Sequence, residues 1–142
     1  GLGDVYKRQK FNDVYFIDDS KGTNVGATLA ALRGAPGNVV LIAGGLGKGQ
    51  SFKPLRKIIE EKVIALFLIG EAAVEIAEVV SNAVVPTVIC NSLQEATKKA
   101  YAAAKPGDWV LLSPACASMD MFQDYAHRSE VFIDAIRELM SE

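Results

Sequence analysis

Val39-Val-Leu-Ile-Ala43 runs directly into Gly44-Gly-Leu-Gly-Lys-Gly49. Five consecutive apolar residues, two of them Val and one Ile, leave no polar face for water. A strand of this kind is covered on both sides, as in a parallel sheet. Similar short runs lie on either side of it: Val14–Ile17, Val63–Ile69, Val84–Ile89 and Trp109–Leu112.

Helical patterns separate these runs. Val25, Thr28, Leu29 and Leu32 form one stripe, with Asn24 as its N-cap and Gly34 as its stop. Phe52, Leu55, Ile58 and Ile59 form a second, capped by Ser51, and Ala72, Ala73, Ile76, Ala77 and Val80 form a third. Ser92-Leu-Gln-Glu95 is a capping box ahead of a fourth helix, which ends before Pro106-Gly107. Val131, Phe132, Ala135, Ile136 and Leu139 close the chain with a fifth. The alternation predicts an α/β fold: a Rossmann-like three-layer sandwich around a mostly parallel, doubly wound sheet of about six strands. Gly1–Gln9 shows no periodicity and no core face. Residues 1–10 are therefore expected to be a leader outside the fold, disordered or an artefact of sequence assembly, with the domain spanning 11–142.

Composition restricts the function classes. The chain has 142 residues, half of them apolar, and a net charge of −2, so no global basic field points to nucleic acid or an anionic membrane. No apolar run reaches the ~18 residues that span a bilayer, and the N-terminus lacks the apolar segment of a secretory signal. Cys90 and Cys116 are far apart and lack C-x-x-C spacing, which fits two reduced thiols in a cytosolic protein. His127 is the sole histidine, so a multi-histidine metal site is excluded; it reads as a partly exposed residue near a helix start.

Ligands of open parallel sheets bind beyond the carboxyl ends of the strands. Three such ends carry chemistry. Asp18-Asp-Ser-Lys-Gly-Thr-Asn24 offers two carboxylates, a lysine and two hydroxyls on a strand-to-helix turn. It reads either as an anion site or as a plain capping turn. Gly44–Gly49 is neither a Walker A loop nor a dinucleotide fingerprint: Ile42 stands where Walker A needs its first glycine, and Gly49 replaces the magnesium-binding hydroxyl. It reads as a flexible loop that lets backbone approach a ligand and presents Lys48. Ser113-Pro-Ala-Cys-Ala-Ser-Met-Asp120 reads as a small-residue turn that caps the last helix through Ser118 or Asp120. Its serines are poor nucleophile candidates, because only His127 could serve as base and no Gly-x-Ser-x-Gly elbow is present. Gly70-Glu71 and Asn91-Ser92 look like ordinary turns and caps.

Together the three segments resemble the C-terminal domain of the Mur ligases, most of all the branch that adds D-glutamate. The matching stretches are Asp18-Asp-Ser-Lys-Gly-Thr-Asn-Val-Gly-Ala-Thr28, Leu41-Ile-Ala-Gly-Gly-Leu-Gly-Lys48, and Leu111-Leu-Ser-Pro-Ala-Cys-Ala-Ser-Met-Asp-Met-Phe122 with Arg128. The resemblance runs from about Val14 onward. Folylpolyglutamate synthases are a related alternative, but they and the sister ligases usually carry a His- or Asn-Pro-containing turn in place of Ser20-Lys-Gly-Thr-Asn24. A free-standing, non-enzymatic Rossmann-like binding module is the other reading.

The resemblance implies an ATP- and Mg2+-dependent cytoplasmic reaction of peptidoglycan biosynthesis. ATP activates UDP-N-acetylmuramoyl-L-alanine as an acyl phosphate, and the amine of D-glutamate displaces phosphate. It implies that Lys21, Thr23, Lys48, Ser118 and Tyr125 hold D-glutamate, and that Asp19, Ser20 and Asn24 face ATP, with Asp19 on the ribose. It further implies that the UDP-binding and ATPase domains, with the Mg2+ ligands, lie outside this sequence. No Gly-Lys-Ser/Thr occurs in it. The chain alone is accordingly expected to be inactive, with no catalytic residue of its own.

Overall fold

The structure is a computed structural model that describes residues 7–81, 85–118 and 121–142. Six strands form one sheet: β1 Lys7–Phe11, β2 Val14–Asp18, β3 Val39–Gly44, β4 Val63–Ile69, β5 Thr87–Ile89 and β6 Trp109–Leu112. Their order is β1-β2-β6-β3-β4-β5. β2, β6, β3, β4 and β5 pair in parallel, and β1 pairs antiparallel with β2. Among the described residues four helices connect them, α1 Val25–Gly34, α2 Leu55–Lys62, α3 Ala73–Val79 and α4 Leu93–Ala103, and α5 Tyr125–Ser141 follows the last strand.

Each face of the sheet has its own core. Leu32, Leu55, Ile59 and Ile76 from α1 to α3 pack with Leu41, Leu66 and Leu111 on one face. Leu93, Ala96, Phe132 and Ile136 from α4 and α5 pack with Phe16, Ile42 and Val110 on the other. This double coverage is why β3 is buried at all six positions. At the sheet edge, β5 is half open, with Val88 and Ile89 exposed. It is also shorter than the run Val84–Ile89 suggests; Val84 lies outside the described residues.

The N-terminal expectation needs correction. Lys7, Arg8 and Gln9 are not outside the fold: they pair with Asp18, Ile17 and Phe16. Asn12 and Asp13 both have positive φ, at 50° and 63°, and close a two-residue hairpin that matches the twist of antiparallel strands. A charged edge strand carries no apolar run. Its cations lie over aromatic faces instead, Arg8 over Trp109 at 5.3 Å and Lys10 over Tyr15 at 5.4 Å. Residues 1–6, the rest of the predicted leader, lie outside the described residues.

Two caps hold as predicted. The Asn24 side chain accepts from the Ala27 amide at 2.9 Å, and Ser92 accepts from Glu95 at 3.0 Å. Two differ. Ser51 accepts from Lys53 rather than capping α2, whose N-cap is Pro54. Asp124, not Ser118, caps α5 by accepting from the His127 amide at 2.8 Å. Ser118 instead accepts the amides of Met121 and Phe122 on its backbone carbonyl. Asp120, the other predicted cap, lies outside the described residues.

Candidate functional site

β6 enters the sheet between β2 and β3. The loops that follow these three strands are the three polar segments singled out above, so the strand order sets them side by side at the carboxyl edge. A reversal of strand order of this kind opens a crevice.

Backbone bonds lock the loops to one another. The amides of Leu46 and Ala117 each donate to the other's carbonyl, at 2.9 and 3.0 Å. Gly44 donates to Pro114 at 2.9 Å, and Ala115 donates to Gly22 at 2.8 Å. The first half of the glycine-rich loop, Gly44–Leu46, is thus tied to its neighbours, while Lys48 and Gly49 are exposed. A Cβ on Gly44 would stand 1.9 Å from the Ile69 carbonyl oxygen, and one on Gly45 would stand 2.5 Å from that of Ala117. Both residues also have φ above +120°. These two glycines admit neighbouring protein backbone, where the composition suggested a ligand.

Beneath the loops lies a buried polar floor. Asp18 accepts the Ser20 amide at 3.0 Å and the hydroxyls of Ser20 and Ser129. Asp19 accepts the Ser113 hydroxyl at 2.8 Å, and Ser113 meets the Thr28 hydroxyl at 3.0 Å. Arg128 is 0% exposed and donates to the carbonyls of Ser20 at 2.8 Å and Cys116 at 3.1 Å. Its guanidinium thus joins the first loop, the third loop and α5. Burial pushes the Asp19 carboxyl up to about 6, the Asp18 charge adds to this, and the Ser113 hydrogen bond and Arg128 oppose it.

Above the floor stands an open rim. Lys21, Lys48 and Tyr125 are exposed, Thr23 is half-buried, and Ser118 is buried at the wall. Lys21 Nζ lies 6.0 Å from the Tyr125 ring, so the first loop and the start of α5 meet here. Lys48 occupies a left-handed backbone position, φ 52°, and reaches the other loops through the bonds of its own loop. Of the three residues expected to face ATP, Asp19 is 5% exposed, Ser20 is turned in toward Asp18, and the Asn24 side-chain oxygen caps α1.

His127 is half-buried in the first turn of α5. Its Nδ1 accepts the Gln123 amide at 3.1 Å, and its ring meets the edge of Phe122. Among the described residues no group of three His, Cys, Asp or Glu could hold a metal ion, and none of the described helices is long and apolar enough to cross a membrane.

Several residues of this architecture went unread in the sequence. By sequence Thr28 reads as part of an apolar stripe, Ser113 reads as part of a small-residue turn and a poor nucleophile, and Ser129 and Gln50 carry no local signal. The one local signal was a polar residue on an otherwise buried face, as Thr28 is on α1.

The family profile described as Mur ligase, glutamate ligase domain matches residues 5–116. The chain belongs to the Mur ligase family. It is 54% identical over 127 residues to the UDP-N-acetylmuramoylalanine–D-glutamate ligase of Chromobacterium violaceum, covering 89% of this chain and 28% of that protein. To the enzyme of the same name from Nitrosospira multiformis it is 49% identical over 137 residues, covering 96% and 29%. The chain therefore spans less than a third of the length of these relatives. Two solved structures share the fold at low identity. MurC from Thermotoga maritima has a TM-score of 0.61 at 15% identity, covering 94% of this chain and 29% of that one. MurF from the same organism, solved with ADP, has a TM-score of 0.57 at 16%, covering 93% and 30%.

Proposed function

We propose that this Mur ligase chain is the amino-acid-binding part of an ATP-dependent ligase that joins D-glutamate to UDP-N-acetylmuramoyl-L-alanine in the cytoplasm. One observation carries the reading. In a chain half-identical to D-glutamate ligases, three loops bearing Lys21, Thr23, Lys48 and Ser118 are braced side by side at the carboxyl edge of the sheet.

The chemistry fits. D-glutamate has two carboxylates, and two exposed ammoniums on neighbouring loops complement them with charge-assisted hydrogen bonds of about 1.5–3 kcal/mol each. The Thr23 and Ser118 hydroxyls fix orientation. Tyr125 covers the Lys21 side and limits its wandering. Held this way, the amine is presented to an activated carboxyl group, which is catalysis by proximity. Asp19 is the acceptor for a ribose hydroxyl of ATP, by the carboxylate oxygen that does not hold Ser113. Ser20 and Asn24 shape that edge through the loop and the α1 cap. Mg2+ has no fitting donor set among the described residues, since both carboxylates of the floor are held by hydroxyls. Its ligands, the UDP pocket and the phosphoryl-transfer groups belong to other parts of the enzyme.

The test is phosphate release and product mass with ATP, Mg2+ and UDP-N-acetylmuramoyl-L-alanine. The full-length enzyme should turn over with D-glutamate and stay near background with L-glutamate, while the 142-residue chain alone should show no turnover. Equal use of both enantiomers, or turnover by the chain alone, would count against the proposal.

A further inference from the structure

We infer that Gln50 is a positioning residue of the amino-acid pocket, whose carboxamide sets where Lys48 stands relative to Thr23 and Ser118. The inference rests on the ligase reading above for the ligand, and on the geometry alone for the brace.

Gln50 lies two residues beyond Lys48. Its amide donates to the Gly47 carbonyl at 3.4 Å, closing a turn whose two central residues are Lys48 and Gly49. Both have positive φ, 52° and 77°, the geometry of a tight primed turn. The direction in which Lys48 leaves the backbone is thus set by a turn that Gln50 closes.

The Gln50 side chain then fixes this turn to the other two loops. Its Oε1 accepts the amide of Val25 at 3.0 Å, and its Nε2 donates to the carbonyl of Ala115 at 2.7 Å. Val25 is two residues past Thr23, and Ala115 is three residues before Ser118. Val25 opens α1, so its amide is one of those a helix cannot satisfy within itself. Ala115 has φ 62° and donates its own amide to Gly22 of the first loop. One planar group therefore connects all three ligand-bearing segments within a few residues of the atoms proposed to touch the amino acid.

The chemistry is specific to a carboxamide, which offers an acceptor and a donor on one rigid plane. Glutamate keeps the acceptor toward Val25 and sets an oxygen against the Ala115 carbonyl. Methionine fills similar space and offers neither. A space-filling role would tolerate methionine; a brace would not.

Two readouts test this. In the 142-residue chain, amide hydrogen exchange at Val25 should speed up about tenfold in Gln50→Met and remain slow in Gln50→Glu, with Leu41 and Leu111 unchanged in both; about tenfold is what loss of one net hydrogen bond gives. In the full-length ligase, Gln50→Met should raise KM for D-glutamate roughly tenfold while kcat and KM for ATP stay within about twofold, because only uniform binding of the amino acid is lost. Gln50→Glu should fall between the two. Wild-type exchange at Val25 in Gln50→Met would overturn the brace. A fall in kcat with a parallel rise in KM for ATP would also overturn the inference, by showing general loss of structure. If the wild-type ligase fails to use D-glutamate, the pocket role falls with the function proposed above, and the exchange readout still decides the brace.

Discussion

The floor and the rim of the site come from the same loops and the start of α5, and are built on opposite terms. Asp18, Asp19, Ser113 and Arg128 are each no more than 5% exposed, and each is bonded across a loop boundary. Lys21, Lys48 and Tyr125 are open to water a few residues away. Burying charge is costly unless it is hydrogen-bonded, and the floor meets that condition with serine hydroxyls and backbone carbonyls. The rim keeps its ammoniums solvated, where they can exchange water for a ligand's carboxylates. The loop Asp18–Asn24 thus divides its labour: Asp18 and Asp19 tie it to Ser129 and Ser113, and Lys21 is left open to solvent and to a ligand.

Removing the centre of the floor should have the largest effect. Arg128→Ala strips the donors from the Ser20 and Cys116 carbonyls and leaves a void, so it should cost at least ~3 kcal/mol in urea unfolding of the chain. A cost below about 1 kcal/mol would mean that the floor is not structural.

Asp19 sharpens the contrast through pH. Its folded-state value near 6 lies above the ordinary 3.8, so the fold favours the protonated form. This contribution to stability is fully present below about pH 4 and is lost as pH rises through about 6, a change on the order of 2 kcal/mol. Burial is the main cause of the rise, the Ser113 hydroxyl holds it down, the Asp18 charge adds to it, and Arg128 opposes it. Asp19→Asn should flatten the dependence of melting temperature on pH between about 4 and 6.5, a range set by those values. An unchanged slope would assign the titration elsewhere.

The rim should respond in the opposite sense. Lys48→Ala should leave urea stability within about 0.5 kcal/mol, yet raise KM for D-glutamate about tenfold or more in the full-length ligase, which is ~1.4 kcal/mol of binding. Loss of stability without loss of affinity would invert the comparison. The smallest effect belongs to Tyr125: a double-mutant cycle of Lys21→Met with Tyr125→Leu should give a coupling of about 0.5–1 kcal/mol in D-glutamate affinity. No coupling would mean that the two side chains act apart.

The sequence disclosed the rim better than the floor. Lys21 and Lys48 are conspicuous among glycines and hydroxyls, and β3 and β6 announce themselves as unbroken apolar runs. The floor depends on partners far apart in the chain, such as Asp18 with Ser129 and Asp19 with Ser113, and no local pattern encodes such pairs. The same holds for Gln50, whose two partners lie 25 and 65 residues away. β1 escaped notice because an edge strand needs no continuous apolar face; Asn12-Asp13 was its only local cue. The strand order, too, is a long-range fact, since alternation predicts parallel strands and not which of them neighbour each other.

That order has a consequence in time. β6 is the last strand in sequence and sits between β2 and β3, which have no direct pairing of their own. As the chain leaves the ribosome, the strands on either side must wait for residues 109–112 before the sheet can close. A nascent chain stopped short of Trp109 therefore lacks the strand that joins β1–β2 to β3–β5. The strand that joins the sheet thus delivers the third loop, and α5 follows it with Arg128, Ser129 and Tyr125.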